Sequence, residues 1–209
     1  MPIICSKRIP LQTQIGLWYI EEDKEQLQHA LKPYKTDLTD VLQIAHPDRQ
    51  LSGLAVRLLV HRMLEKKGVE IDKDEYGKPY LSNANEHIGL SHSGQLAAGI
   101  ISKNKCGIDI QIRSKKVLAI RDKFLNEREH CTSEDNLHII WSAKESIYKA
   151  YGKKQVDFKR DIFIQVGDIH RNFGIFTGEL IRHPKTLKYQ LYYEIWNNYY
   201  LVYAISLES

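Results

Sequence analysis

Cysteine is scarce in this chain of 209 residues, and the little there is cannot build a framework. Cys5, Cys106 and Cys131 are odd in number, far apart and without a CxxC pair, which argues against a disulfide scaffold or a zinc knuckle. Each reads instead as a small apolar residue for a core. Long apolar runs are missing too, and none approaches the ~20 residues that span a bilayer. The N-terminal stretch MPIICSKRIPLQTQ has only a four-residue apolar patch and no signal-peptide pattern, so the expectation is a soluble, cytoplasmic protein. Charge of one sign is also in short supply: 30 basic residues face 26 acidic ones. The net +4 suits an acidic partner or a polyphosphate ligand, but it lacks the dense basic clusters of a dedicated nucleic-acid binder. No low-complexity linker and no short-period repeat interrupts the chain.

What is present is a globular composition with 43% hydrophobic residues, enough for one large domain or two small ones. Residues 15–22 read as a strand and a charged, helical stretch follows. From Asp48 to Lys67 the apolar positions Leu51, Leu54, Ala55, Leu58 and Leu59 recur at helical spacing, with Pro47 before them and Gly68 closing the helix. Short turn-rich pieces come next (YGKPYL at 76–81, HIGLSHSG at 87–94), then the apolar run LAAGIIS at 96–102. A second cycle starts with the strand CGIDIQIR, continues with helices over 116–130 and 135–151, and ends in a β-rich third. Asn197-Asn198 is a tight-turn candidate, so the last two strands should form a hairpin. The order strand, helix, strands thus occurs twice. The expected fold class is α+β, with two halves at 1–104 and 105–209 and a ligand cleft between them.

Two segments bring chemistry-bearing side chains together. In the strand Gly107–Arg113, period-2 alternation sends Ile108, Ile110 and Ile112 to one face, expected to meet a core, and Asp109, Gln111 and Arg113 to the other. Asp109 and Gln111 are then roughly 6–7 Å apart, near enough to share a hard cation such as Mg²⁺. A half-exposed strand whose polar side meets water fits the same pattern. In the helix over 135–151, Ala143, Ile147, Ala150 and Tyr151 form an inward face. Trp141, Lys144, Glu145, Tyr148 and Lys149 are expected opposite, with Glu145 as a metal ligand and Lys149 as a phosphate contact. The bland alternative is an exposed i,i+4 Glu–Lys pair worth ~0.2–0.5 kcal/mol. Upstream, Arg49, Gly53 and Arg57 recur every four residues and would suit either a phosphate or plain solvent. Lys78 lies in a Gly-Pro turn, and His92 sits between the hydroxyls of Ser91 and Ser93.

Taken together and in order, these pieces resemble the Sfp-type 4′-phosphopantetheinyl transferases. GIDIQ resembles the family's G-[IV]-D-[IV]-E motif. WSAKESIYKAYGK, from Trp141 to Lys153, resembles its W-[ST]-x-K-E-[AS]-x-x-K-x-x-G motif at every fixed position. GKPYL, LSHSG and RQLSG resemble upstream motifs, and the likeness is good over residues 45–155. The resemblance implies two similar α+β halves related by a pseudo-two-fold axis, with the active site in the cleft between them. The implied activity is transfer of phosphopantetheine from coenzyme A to a carrier-protein serine, with release of 3′,5′-ADP.

Under that resemblance Glu145 and Lys149 are the catalytic pair, and Asp109, Gln111 and Glu145 are the Mg²⁺ ligands. Arg49, Lys78, Pro79, Ser91, His92 and Lys149 would bind coenzyme A, with Arg49 and His92 nearest its 3′-phosphate. Residues 117–132, with FLNEREH at 124–130, would dock the acyl or peptidyl carrier protein, and the chain would act as a monomer. Gln111 departs from the family's usual Glu and leaves the metal site one carboxylate short. A non-catalytic coenzyme A or carrier-protein binding module is the alternative reading.

Overall fold

A computed structural model describes residues 3–64, 69–129, 131, 133–167 and 171–208. Gly68, expected to close a helix, lies outside the described residues, as do His130 and Thr132 of the expected docking stretch. The chain divides into two compact units, Met1–Lys103 and Asn104–Ser209, each with its own core. The coarse class is mixed α+β, with a four-stranded sheet in the first unit and a five-stranded sheet in the second.

In the first unit the antiparallel sheet runs in the order β1 (Ile3–Ile9), β2 (Thr13–Tyr19), β6 (Leu96–Ser102), β5 (His87–Ser93). A two-stranded hairpin, β3 (Ile71–Lys73) with β4 (Pro79–Leu81), forms a separate sheet and adds Ile71 and Leu81 to the same core. Helices α1 (Lys24–Leu31) and α2 (Thr39–Leu42) precede the long helix α3 (Pro47–Leu64). Proline as the first residue of α3 costs no hydrogen bond, because that N–H has no intrahelical partner. Helix α3 is buried nearly all round, from Gln50 to Met63, and Leu54, Leu58 and Leu59 are its innermost side chains.

This burial corrects the expected stripe of Arg49, Gly53 and Arg57. Arg49 is exposed, whereas a Cβ on Gly53 would lie 3.0 Å from Val41. Arg57 is 5% exposed and donates from one Nη to both carboxylate oxygens of Asp40, at 2.8 and 2.7 Å. Eight residues along a helix turn a side chain about 80° away from its starting direction, enough to carry Arg57 off the outer face.

The second unit holds β7 (Cys106–Ile112), α4 (Lys116–Phe124), α5 (Glu134–Tyr151), α6 (Phe158–Asp161) and β8 (Ile162–Gln165). Strands β9 (Phe173–Arg182), β10 (Lys185–Trp196) and β11 (Tyr199–Ser206) complete the sheet, in the order β7-β11-β10-β9-β8. The expected hairpin is present: Trp196 pairs with Tyr199 across the turn, and Asn197 takes the positive φ of 52° that Asn tolerates. Helix α4 stops at Phe124, short of the expected 130, because the chain extends at Leu125 and the next residues fold round Glu129.

Helix α5 lies across one face of this sheet and carries Ile139, Ile140, Ala143, Ile147 and Ala150 into the core. Strand β7 meets it at Gly107, where a Cβ would fall inside contact distance of the Ser146 carbonyl oxygen and 2.6 Å from the Ala150 nitrogen. Only the absence of a side chain lets strand and helix backbones touch here.

Lys144 is fully buried on this helix. Its ammonium donates to the carbonyls of Phe124, Phe158 and Ile162 at 2.7, 2.9 and 2.9 Å and pairs with Glu129 at 2.8 Å. Burial pulls its pKa down while Glu129 holds it up. Glu129 in turn accepts the backbone N–H groups of Asn126 and Ile164, so one ion pair ties the segment after α4 to β8.

Three stability predictions follow from these contacts. Lys144→Met leaves Glu129 buried and uncompensated, so a loss of about 3–5 kcal/mol is expected in a urea titration. Gly107→Ala forces strand and helix apart and should cost about 1–3 kcal/mol in the same measurement. His61 is fully buried, stacks on Tyr34 at 4.6 Å, and among the described residues neither of its ring nitrogens has a hydrogen-bond partner. Burial first, and the charge of Arg57 second, push its pKa down to about 4. The unfolded chain therefore takes up a proton near pH 6.5 that the folded chain refuses. The His61 contribution is whole above pH 6.5 and falls by on the order of 3 kcal/mol as pH drops towards 4. His61→Phe should flatten that part of the stability profile relative to wild type.

Candidate functional site

The polar side of β7 does not face water. Asp109 and Gln111 point at α5, on the same side as Gly107, and meet a stripe of that helix formed by His138, Ser142, Glu145 and Lys149. Those four fall within about 60° of arc, because spacings of three and four residues return to nearly the same direction. Asp109 is 8% exposed, and both of its oxygens are held. Oδ1 accepts from the Lys149 ammonium at 2.8 Å, and Oδ2 accepts from the Ser142 hydroxyl at 2.9 Å. Lys149 also donates to the Ile108 carbonyl at 3.0 Å.

Gln111 directs its amide nitrogen to the Ser142 hydroxyl oxygen at 2.6 Å and to the His138 carbonyl at 3.1 Å. The second partner fixes the amide's orientation, since a carbonyl oxygen can only accept. Glu145 is half-buried beside this group, and its carboxyl is raised above the usual range by burial first and by the charge of Asp109 second, with Lys149 acting the other way. Two carboxylates that repel each other, with a cation near one of them, form a hard-oxygen donor pair suited to a divalent ion. Among the described residues no cluster of three His, Cys, Asp or Glu side chains forms.

Lys144 corrects the expected charged face. Its direction lies only about 60° from Ile147 but about 100° from Glu145, so it belongs with the inward side chains. Ile112 departs from expectation as well. Ile108 and Ile110 are buried, but Ile112, last in its strand, is 45% exposed. Ser142 is the residue that sequence reasoning passed over. Its signal was available, because it lies three residues before Glu145 and seven before Lys149, on the same stripe.

In the first unit, Arg49 and His92 line one cavity of about 430 Å³. Ile20, Asp48, Leu51, Ser52, Gly94 and Gln95 complete its walls. The start of α3 brings Arg49 and the end of β5 brings His92. Ser91, the residue before, is buried in that strand. Lys78 and Pro79 are not among the lining residues of this cavity. They belong to the β3–β4 hairpin, whose turn is closed by Asp74: its side chain accepts the backbone N–H groups of Tyr76 and Lys78 at 2.9 and 2.8 Å. Gly77 supplies the left-handed φ of 87° that this turn requires.

Residues 105–204 match the 4′-phosphopantetheinyl transferase superfamily. Among individual proteins, the chain is 34% identical over 113 residues to the 4′-phosphopantetheinyl transferase gsp of Aneurinibacillus migulanus, covering 49% of this chain and 47% of that protein. It is 30% identical over 114 residues to the 4′-phosphopantetheinyl transferase ffp of Bacillus subtilis, covering 49% and 51%. To the 4′-phosphopantetheinyl transferase Sfp of Bacillus subtilis (strain 168) it is 29% identical over the same length and shares. The chain spans about half the length of the curated relatives it matches. The matched stretch holds the strand with Asp109 and the helix with Glu145 and Lys149, and over it the chain is similar to the 4′-phosphopantetheinyl transferase superfamily.

Proposed function

We propose that this chain transfers the 4′-phosphopantetheine arm of coenzyme A to a serine of an acyl or peptidyl carrier protein and releases 3′,5′-ADP, with Mg²⁺ as cofactor. The observation that carries this reading is that Glu145, on α5, feels the charge of Asp109, on β7, while the Lys149 ammonium holds Asp109 at 2.8 Å. The donor set fits Mg²⁺: two hard carboxylates whose mutual repulsion a cation relieves, with Gln111 next to them on the strand. When bound there, Mg²⁺ supplies charge neutralisation for the diphosphate and the departing 3′,5′-ADP.

The remaining work falls to side chains. Lys149 is half-buried and already holds a carboxylate, so its ammonium stands where it can also meet a diphosphate oxygen. Glu145, with its proton affinity raised by burial and by Asp109, is the group suited to take the proton of the attacking serine. The serine oxygen then bonds to phosphorus, and the bond from phosphorus to the 3′,5′-ADP oxygen breaks. Positioning and charge neutralisation are the main help that such a transfer needs.

Arg49 and His92 share a cavity and are assigned to the 3′-phosphate of coenzyme A, with Ser91 behind them and Lys78 and Pro79 nearer the adenine. The same reading assigns residues 117–132 to the carrier protein. Net positive charge would steer an acidic carrier towards the enzyme. No described helix is long and apolar enough to cross a membrane, and the reading is of a soluble monomer.

The test is mass spectrometry of an apo carrier protein incubated with coenzyme A, Mg²⁺ and this chain. A gain of about 340 Da is expected, the signature of covalent transfer in place of binding. Chelation of Mg²⁺ and Glu145→Gln should each abolish the gain. A carrier that binds but gains no mass overturns the enzyme reading in favour of a binding module. Substantial transfer by Glu145→Gln would remove that residue from its assigned role.

A further inference from the structure

Asp109 is held on one side by a cation and on the other by a hydroxyl that is itself held. The Gln111 amide donates to Ser142 Oγ at 2.6 Å, and Ser142 Oγ donates to Asp109 Oδ2 at 2.9 Å. Ser142 is fully buried, so no water competes for either bond. A serine hydroxyl has one proton and two lone pairs. In isolation it could spend that proton on the His138 carbonyl one turn back, as helical serines often do. Here that carbonyl accepts a hydrogen bond from the Gln111 amide, and the same amide donates to Ser142 Oγ and so occupies one of its lone pairs. The hydroxyl proton is thereby left for Asp109.

We propose that Gln111 is a positioning residue that acts through Ser142: it sets the direction of the Ser142 hydroxyl, which in turn orients and charges the second oxygen of Asp109 for a divalent cation. This assignment rests on the metal reading of Asp109 and Glu145 above. It gives chemical meaning to Gln111 standing where the family usually has Glu. A carboxylate at 111 would have no proton to give the His138 carbonyl and would place acceptor against acceptor. The amide supplies both protons, so position 111 contributes hydrogen bonds to the site in place of a third charge. Groups that orient metal ligands from behind typically matter 10–100-fold in metal affinity, so a measurable effect is expected from a residue that need never touch the ion.

The experiment is a titration of the full chain with Mn²⁺ alone, followed by electron paramagnetic resonance of the free ion. It compares wild type, Ser142→Ala, Ser142→Thr, Gln111→Met and the double variant Gln111→Met/Ser142→Ala, each checked for a folded circular-dichroism spectrum. Ser142→Ala should weaken Mn²⁺ binding roughly ten-fold. Gln111→Met should weaken it by a comparable factor, and Ser142→Thr, which keeps the hydroxyl, should bind close to wild type. The double variant should be no worse than Ser142→Ala, because the effect of Gln111 passes through the serine.

If Gln111→Met lowers affinity by its full factor in the Ser142→Ala background as well, Gln111 acts on the cation directly and the proposal is overturned. Wild-type affinity in Ser142→Ala overturns it equally. Carrier-protein modification by the wild type, assayed separately by mass, reports on the proposed reaction, so the two conclusions fail independently.

Discussion

Strand β7 and helix α5 touch backbone to backbone at Gly107, and the chemistry of the second unit depends on that contact. With a side chain at 107 the strand would stand off by an ångström or more, and each bond in the group would lengthen with it. Lys149 could not reach the Ile108 carbonyl and Asp109 together. Ser142 could not bridge Gln111 and Asp109. The polar side chains two and four residues further along the strand would then stand unsatisfied against a helix, a cost of ~1–3 kcal/mol each. Close approach and polar satisfaction therefore support each other, and neither is available without the other.

The two units solve different problems with buried charge. In the first, Arg57 and Asp40 join α3 to α2, and His61 stays neutral under its stack with Tyr34. In the second, the deepest charge is Lys144, ringed by Glu129 and three carbonyls, while the charges nearer the surface, Asp109, Glu145 and Lys149, are left partly in competition. Desolvated and fully paired groups serve the architecture. Glu145 differs from these: burial and the charge of Asp109 both work against its ionised form.

Much of this arrangement was legible in the residue order, and the rest was hidden for identifiable reasons. Periodicity located α3, α5, the β7 strand and the terminal hairpin, because each has a strong repeat of apolar positions or a turn residue that tolerates positive φ. Alternation correctly set Asp109 and Gln111 apart from Ile108 and Ile110, but it could not say that the polar side would meet a helix. That depends on packing between segments some thirty residues apart. Charge misled the reading of Lys144 and Arg57. Both look like surface residues, yet each lies on the inward arc of its helix and finds enough oxygen atoms there to offset its desolvation. Ser142 shares a helix stripe with Glu145 and Lys149, but that spacing alone does not say what its hydroxyl would meet. Its meaning comes from partners at 109 and 111, on another strand. Joint placement of Arg49 and His92 in one cavity likewise depends on how α3 crosses the sheet, which no local pattern encodes.

Lys144 and Glu145 are neighbours in sequence that look in directions about 100° apart. One is clamped in the interior by an acid and three carbonyls, and the other stands beside Asp109. Any twist of α5 about its own axis that re-aimed Glu145 would drag the Lys144 ammonium off all four oxygens at once. The buried lysine therefore works as a key in a slot: it fixes the angular setting of the helix, and with it the bearing of each residue that the helix presents to β7.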